Sequence, residues 1–454
     1  MYATINPVTG ALVREFESLT DDEARSALEA ADRAYASWSA LTPFERADVV
    51  WRIGALHRER AEQLASLLTL EMGKPIAQAR TEVAFAASIY DYYADKGPGM
   101  LADEVLEIAG AGSALVRTAP IGALLGIMPW NFPLYQMARF IAPNLLLGNT
   151  ILLKHAQSCP QTSLAVASII ADAGLPAGGY ANVFATHAQV AEMIASPLLQ
   201  GVSITGSERA GRIIGGLAGS NLKKCVLELG GSDPLIVLPD ADLDSAAAAA
   251  VTGRFWNAGQ QCTSSKRTIV TEAVWEEFVD RFLSEASGWK TGDPADPETR
   301  LGPLATVASR ADVAAVVDDA VAKGARLLLG GSIPAGEGAY YPATVLADVT
   351  PDMRAYHEEI FGPVAVLYKV ASVDDAVELA NDSPYGLGSA VFAATPERAG
   401  AIADRLNVGM VGLNMLVRSA PELPFGGVKN SGIGRELGRF GLDEFTNKKL
   451  IRSA

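Results

Sequence analysis

Cysteine is sparse, with only Cys159, Cys225 and Cys262 in 454 residues. So odd and scattered a set cannot build a disulfide framework and suits a reducing compartment, so the expected location is the cytoplasm. Histidine is nearly as rare. His57, His155, His187 and His357 lie far apart, none at ligand spacing with cysteine or carboxylates, and no metal is expected. Basic residues are in deficit, 37 against 52 acidic ones, a net charge of −15. Phosphate backbones and anionic lipid repel such a chain, so neither nucleic acid nor a membrane surface is an expected partner. A Gly-x-Ser-x-Gly elbow, a Walker phosphate loop and the usual Gly-x-Gly-x-x-Gly dinucleotide fingerprint are all missing. No basic segment followed by an apolar run opens the chain, so no signal peptide is expected. One uncharged stretch, Pro120 to Ala138, is long enough for a membrane helix, but Pro129, Asn131 and Pro133 interrupt it. It reads as a buried strand and a loop.

What remains is an ordinary globular composition, 49% hydrophobic and 20% charged, with enough length for two or three domains. Thr20 to Glu23 has the capping-box pattern, and Leu28, Ala31, Tyr35 and Trp38 follow at helical spacing; Thr42, Pro43 and Glu45 open a second helix. Apolar strand-like runs then alternate with helical ones: Ala123 to Ile127, Thr150 to Leu153, a helix over Gln161 to Ala173, Gly201 to Ile204, and a helix over Arg209 to Leu217. A second series runs from Leu235 to Leu238 through a helix over Ser245 to Trp256 to the strand Arg267 to Val270. Alternation of this kind predicts two parallel α/β units. Ahead of both, Leu101 to Thr118 reads as a hairpin about its Ala-Gly-Ala-Gly run, with no evident partner. No repeat, low-complexity tract or charge block is present.

A few residues could carry chemistry, each with a plainer alternative. Gly206 to Gly211 follows a strand and opens a helix, which suits either a phosphate on the helix N-terminus or a simple turn. Cys262 lies in the polar loop Asn257 to Ser264, as a reactive thiol or a small buried hydrophobe. Glu228 ends an apolar strand before Gly230-Gly231, as a general base or a solvated charge. Asn131, within Trp130-Asn131-Phe132-Pro133, is an oxyanion donor or a turn former.

In sequence order, Pro129-Trp130-Asn131-Phe132-Pro133, Gly206-Ser207, Leu227-Glu228-Leu229-Gly230-Gly231, Gly259-Gln260-Gln261-Cys262, Glu359-Ile360-Phe361-Gly362-Pro363 and Pro424-Phe425-Gly426-Gly427 resemble the motifs of NAD(P)-dependent aldehyde dehydrogenases. The resemblance covers essentially the whole chain and is closest to the bacterial succinate-semialdehyde enzymes. It implies an α/β fold of two doubly wound open-sheet domains, with a dinucleotide-binding unit over 1–97 and 119–230, a catalytic unit over 231–440, and an oligomerisation arm over 98–118 and 441–454. A homodimer or homotetramer is implied with it. Cys262 would be the nucleophile, Asn131 with the Cys262 N–H the oxyanion site, and Glu228 the base for thioester hydrolysis. Trp130, Gly206 and Ser207 would contact the pyrophosphate, Lys154 the adenine ribose and Glu359 the nicotinamide ribose, with Phe361 packing nearby.

Two positions refine the expectation. Gln157 stands where the NAD-specific pattern has Glu, so the carboxylate that repels a 2′-phosphate is absent and NADP use is favoured over NAD. Arg139 lies in the apolar run Leu134 to Ala142, an expensive place for a charge unless something pairs with it. The resemblance implies a clamp for a substrate carboxylate; an internal salt bridge is the alternative. A second clamp arginine, six residues before the nucleophile in some relatives, is Trp256 here, which leaves Arg418 or Ser419 to complete the site. The expected reaction is oxidation of succinic semialdehyde to succinate. A broader aldehyde range, a catalytically silent relative and acyl transfer to coenzyme A are the alternatives; Glu228 argues for water as acyl acceptor.

Overall fold

The computed structural model describes residues 1–454. Thr20 and Thr42 each accept the N–H three residues on, and Glu23 and Glu45 each reach back to the cap N–H, so both expected capping boxes form. They open helices Asp21–Ser39 and Pro43–Glu59. A longer helix, Ile76–Met100, packs on the second of these and on Pro133–Leu147.

The first sheet has six strands, in the order Gly432–Ile433, Lys224–Glu228, Leu199–Thr205, Ala123–Met128, Thr150–His155, Tyr180–Asn182. From Ala123–Met128 the chain steps outward through Thr150–His155 and Tyr180–Asn182, then returns to the opposite flank at Leu199–Thr205 and Lys224–Glu228. These five strands are parallel. Apolar cores cover both faces of the sheet, which is why its strands read as unbroken apolar runs. The second sheet has seven strands. Pro234–Val237 lies inside it, with Arg267–Thr271, Val364–Val370 and Thr344–Ala347 on one side and Gly388–Phe392 and Met410–Leu413 on the other, all parallel; Arg326–Leu329 closes one edge antiparallel.

The chain passes from one sheet to the other at Leu229–Asp233. The strand before this link ends, and the strand after it begins, in the same region. Carboxyl ends of the first sheet therefore meet amino ends of the second, and Asn131, Ser207, Glu228, Cys262 and Glu359 belong to those two edges or to the segments beside them.

Two features differ from the sequence reading, and a third supplies what patterning left open. The stretch after Met128 is not a loop throughout, because Pro133 starts a 15-residue helix, Pro133–Leu147, all of it buried. At the first helical position a proline lacks only an N–H that would have no partner, so it initiates the helix instead of breaking it. Gly432–Ile433, expected with the second unit, pairs antiparallel with Leu227 and Glu228 in the first. A two-residue strand has no period to read; Gly432 is needed there because a Cβ would meet the Leu227 carbonyl oxygen at 1.8 Å. Finally, the hairpin Glu104–Leu106 and Ser113–Pro120 finds its partner in the last strand, Thr446–Ser453, antiparallel to Ser113–Pro120 over eight residue pairs. No helix is long and apolar enough to cross a membrane.

Candidate active site

Cys262 sits on a backbone bent by three successive left-handed residues, Asn257, Ala258 and Gly259, with φ of 53°, 54° and 70°. For Asn257 and Ala258 this costs about 1–3 kcal/mol each. Gly259 is required, since a Cβ would lie 2.2 Å from the Gly362 carbonyl oxygen. The strained turn is held by Arg254, which is fully buried and donates to the Gly259 carbonyl at 3.3 Å and the Ser264 hydroxyl at 2.5 Å. It also donates to the carbonyls of Ile360 at 2.7 Å, Val364 at 2.5 Å, and Gly362. One guanidinium thus ties the cysteine loop to the loop of Glu359 and Phe361.

Asn131 follows the central strand of the first sheet. Its amide donates to the Gln260 carbonyl at 3.0 Å, two residues from Cys262, and its own carbonyl accepts from Lys74 and from Asn257, both at 3.0 Å. Lys74 pairs with the buried Glu82, whose other oxygen accepts the Leu134 and Tyr135 N–H groups at the start of the Pro133 helix.

Glu228 is 2% exposed and neither carboxyl oxygen has a hydrogen-bond partner. Burial pushes its carboxyl well above the usual range; Arg139 pulls it back and Glu436 adds to the push. Space for it comes from Gly426, where a Cβ would lie 2.7 Å from one Glu228 oxygen. Burial likewise raises the Cys262 thiol to about 12, opposed by Arg139 and Lys266.

Glu359 accepts from Lys266 at 3.0 Å and from the Gly231 N–H at 3.1 Å. The double glycine admits this close approach: a Cβ on Gly230 would meet Glu359 at 2.4 Å, and one on Gly231 would meet the Cys262 carbonyl oxygen at 2.4 Å. Phe361 packs edge-on to Trp130, ring centroids 5.7 Å apart. Farther along the carboxyl edge, Gly206 precedes Ser207, whose exposed hydroxyl caps the 13-residue helix Glu208–Ser220. Lys154 is buried with its ammonium over the Tyr2 ring, and Gln157 is exposed. No three His, Cys, Asp or Glu side chains cluster to hold a metal.

A cavity of about 360 Å³ opens onto Cys262 between Phe132, Trp256 and Leu416, and Arg418 and Ser419 belong to its wall. Arg139 does not. Its guanidinium is buried against the carboxylate of Glu436 and donates to the Tyr135 and Thr205 hydroxyls, each at 3.1 Å. The expected direct clamp by Arg139 is therefore replaced by the internal salt bridge, and Tyr135, which donates to Ser419 at 2.9 Å, stands between this arginine and the cavity. Arg254, Lys74, Lys266 and Glu436 were not singled out from the sequence. Arg254 carried the same signal as Arg139, a cation in an Ala-rich apolar segment, which demands a partner wherever it is buried.

Cys262 thus opens onto a cavity walled by residues from both sheet units, Phe132 and Tyr135 from the first and Thr252 and Trp256 from the second. The chain belongs to the aldehyde dehydrogenase family, whose model matches residues 1–451. It is 52% identical over 452 residues to the NADP(+) succinate-semialdehyde dehydrogenase of Deinococcus radiodurans, covering 100% of this chain and 94% of that one. It is 44% identical to the NADP(+) succinate-semialdehyde dehydrogenase 1 of Mycobacterium ulcerans, covering 99% of each chain. Succinic semialdehyde dehydrogenase from Streptococcus pyogenes, solved in complex with NADP+, superposes with a TM-score of 0.97 at 40% identity, covering 99% of both chains.

Proposed function

We propose that this aldehyde dehydrogenase oxidises succinic semialdehyde to succinate with NADP as the preferred hydride acceptor, through a thioester on Cys262. The observation that carries the substrate is Arg418. It is the only cation on the cavity wall, it is exposed, and unlike Arg139 it has no carboxylate partner. A substrate carboxylate accepting from Arg418 and Ser419 leaves its aldehyde end directed at Cys262.

For the dinucleotide, the fit is to the crevice where Ala123–Met128 and Leu199–Thr205 diverge, the place where open doubly wound sheets take ligands. The Ser207 helix presents its N-terminal N–H groups there, an added Cβ at Gly206 would meet nothing nearer than 3.8 Å, and Lys154 lies near the end of the neighbouring strand with Gln157 in the turn that follows it. When bound, the dinucleotide supplies the hydride acceptor. The Cys262 thiol loses its proton to water in the cavity and its sulfur adds to the aldehyde carbon; the resulting alkoxide faces the Cys262 N–H and the Asn131 amide, and as it collapses to the thioester carbonyl the carbon would release its hydride to the bound acceptor. Once the thioester has formed, Glu228 as carboxylate takes the proton of the attacking water, and the acid leaves as Cys262 regains its thiol. Glu359 and Phe361 border the nicotinamide end beside Trp130. Three unpaired cysteines fit a cytoplasmic enzyme. The exposed Val105 and Leu450 on the three-stranded sheet fit an arm that pairs with a second copy in a dimer or tetramer.

The test is a panel of succinic semialdehyde and butanal, each with NADP and NAD. Succinic semialdehyde with NADP is expected to be used best; equal handling of both aldehydes would overturn the substrate. Arg418→Leu should remove about 2–3 kcal/mol of that preference, roughly thirtyfold or more in kcat/KM, with butanal oxidation unchanged. Arg139→Leu should instead reduce both activities alike and lower stability by about 3–5 kcal/mol, because Glu436 is left buried without its cation. Gln157→Glu should move the NADP to NAD efficiency ratio towards NAD by roughly tenfold, about 1.4 kcal/mol. An unchanged ratio would mean that another residue reads the 2′-phosphate.

A further inference from the structure

Lys266 is 3% exposed, one residue before the strand Arg267–Thr271. Its ammonium has three contacts: Glu359 at 3.0 Å, the Gln261 carbonyl at 2.8 Å and the Cys262 carbonyl at 2.9 Å. These use all three of its N–H donors. The two carbonyls bracket the nucleophile, one on each of its flanking peptides.

A trans peptide is a rigid plane in which the C=O and the following N–H point in opposite directions. The Gln261 C=O and the Cys262 N–H are the two ends of one such plane, so a cation that holds the oxygen also aims the N–H. That N–H donates no hydrogen bond within the protein. One end of the peptide is clamped and the other is left free beside the thiol. A cation on the oxygen also polarises the amide and makes its N–H a stronger donor. The carbonyl of Cys262 completes the grip on the other side, in space that a side chain at position 231 would occupy. Glu359 neutralises the buried ammonium and is itself fixed by the Gly231 N–H.

We propose that Lys266 is the positioning residue of the oxyanion site: it holds the Gln261–Cys262 peptide so that the Cys262 N–H faces the developing alkoxide, with Glu359 as its counter-ion. The proposal rests on the thioester reading above. It also makes the carboxylate assigned to the nicotinamide ribose a direct neighbour of the group that orients the oxyanion donor, so the two halves of the site share one ion pair.

The test compares two reactions of the same sulfur. Aldehyde oxidation passes through an alkoxide, whereas alkylation by iodoacetamide displaces iodide from carbon and builds no oxyanion. Lys266→Met is expected to slow the first-turnover burst of NADPH roughly 30- to 100-fold, the scale of misplacing one oxyanion donor, with aldehyde KM and the alkylation rate of the Cys262 thiolate, compared at equal ionisation through its pH profile, each within about threefold of wild type. Lys266→Gln, whose amide NH2 keeps two N–H donors, should recover part of the burst rate, and it carries the same comparison if the Met variant does not fold. Parallel losses of oxidation and of thiolate alkylation at equal ionisation would overturn the proposal, because Lys266 would then act on the loop as a whole; so would a burst within threefold of wild type. If fully alkylated wild-type enzyme still oxidised aldehyde, the thioester reading itself would fall, and that outcome is distinct from either result with the variants.

Discussion

Cys262→Ala should abolish aldehyde oxidation, by roughly 10⁴-fold or more, because no other group near the cavity can form the covalent intermediate. Dinucleotide binding, followed by fluorescence titration, should stay close to wild type, since the proposed nucleotide crevice is built on the first sheet and Cys262 on a loop beside the second. The other two thiols supply the control. Cys159 is fully buried at the start of helix Pro160–Asp172, and Cys225 lies on the strand Lys224–Glu228 with its thiol pushed up to about 11 by burial. Neither lines the cavity. Cys225→Ala should therefore retain most activity. Substantial turnover in the Cys262 variant would remove the thioester from the mechanism.

Glu228→Gln separates the two halves of the reaction. One equivalent of NADPH per active site should appear at close to the wild-type rate, after which turnover should stall at the thioester by about a hundredfold or more, the usual size of a general-base contribution. The pH dependence gives a second readout. Burial raises the Glu228 carboxyl, and only its ionised form accepts a proton from water. Hydrolysis in the wild type should therefore rise with pH as this group loses its proton, later than an ordinary carboxyl would, and that limb should vanish in the Gln variant. Steady-state rates within a few-fold of wild type would take Glu228 out of the mechanism.

The alternation of apolar strands with helices was legible because both faces of each parallel strand are covered, which leaves a continuous apolar run in the sequence. Asn131, Glu228 and Cys262 were legible as motif residues at strand ends and in a polar loop. The upward shift of the Glu228 carboxyl and the Cys262 thiol was not, because it comes from burial by segments distant in the chain. Arg139 shows the boundary most sharply. A cation in an apolar helix announces that a partner exists but carries no information about which one, and Glu436 arrives from the far end of the chain. Lys266 escaped for a related reason. Two of its three partners are backbone carbonyls, which every residue possesses, so no side-chain pattern marks the contact. Pro133 misled because the same ring that breaks a helix interior is well placed at its first residue.

The pairing of Arg139 with Glu436, and of Gly432–Ile433 with the strand ending in Glu228, sets the order in which the enzyme can be completed. Synthesis runs from the N-terminus, so the helix bearing Arg139 is made long before its carboxylate. Until the last segment leaves the ribosome and docks, this cation has no counter-charge, and the strand holding the proposed base presents a raw edge. No N-terminal fragment that stops short of residue 436 can hold a finished site. A truncated product of interrupted translation is therefore inactive by construction, and its unpaired strand edge offers chaperones and proteases a means of telling it from the full-length chain.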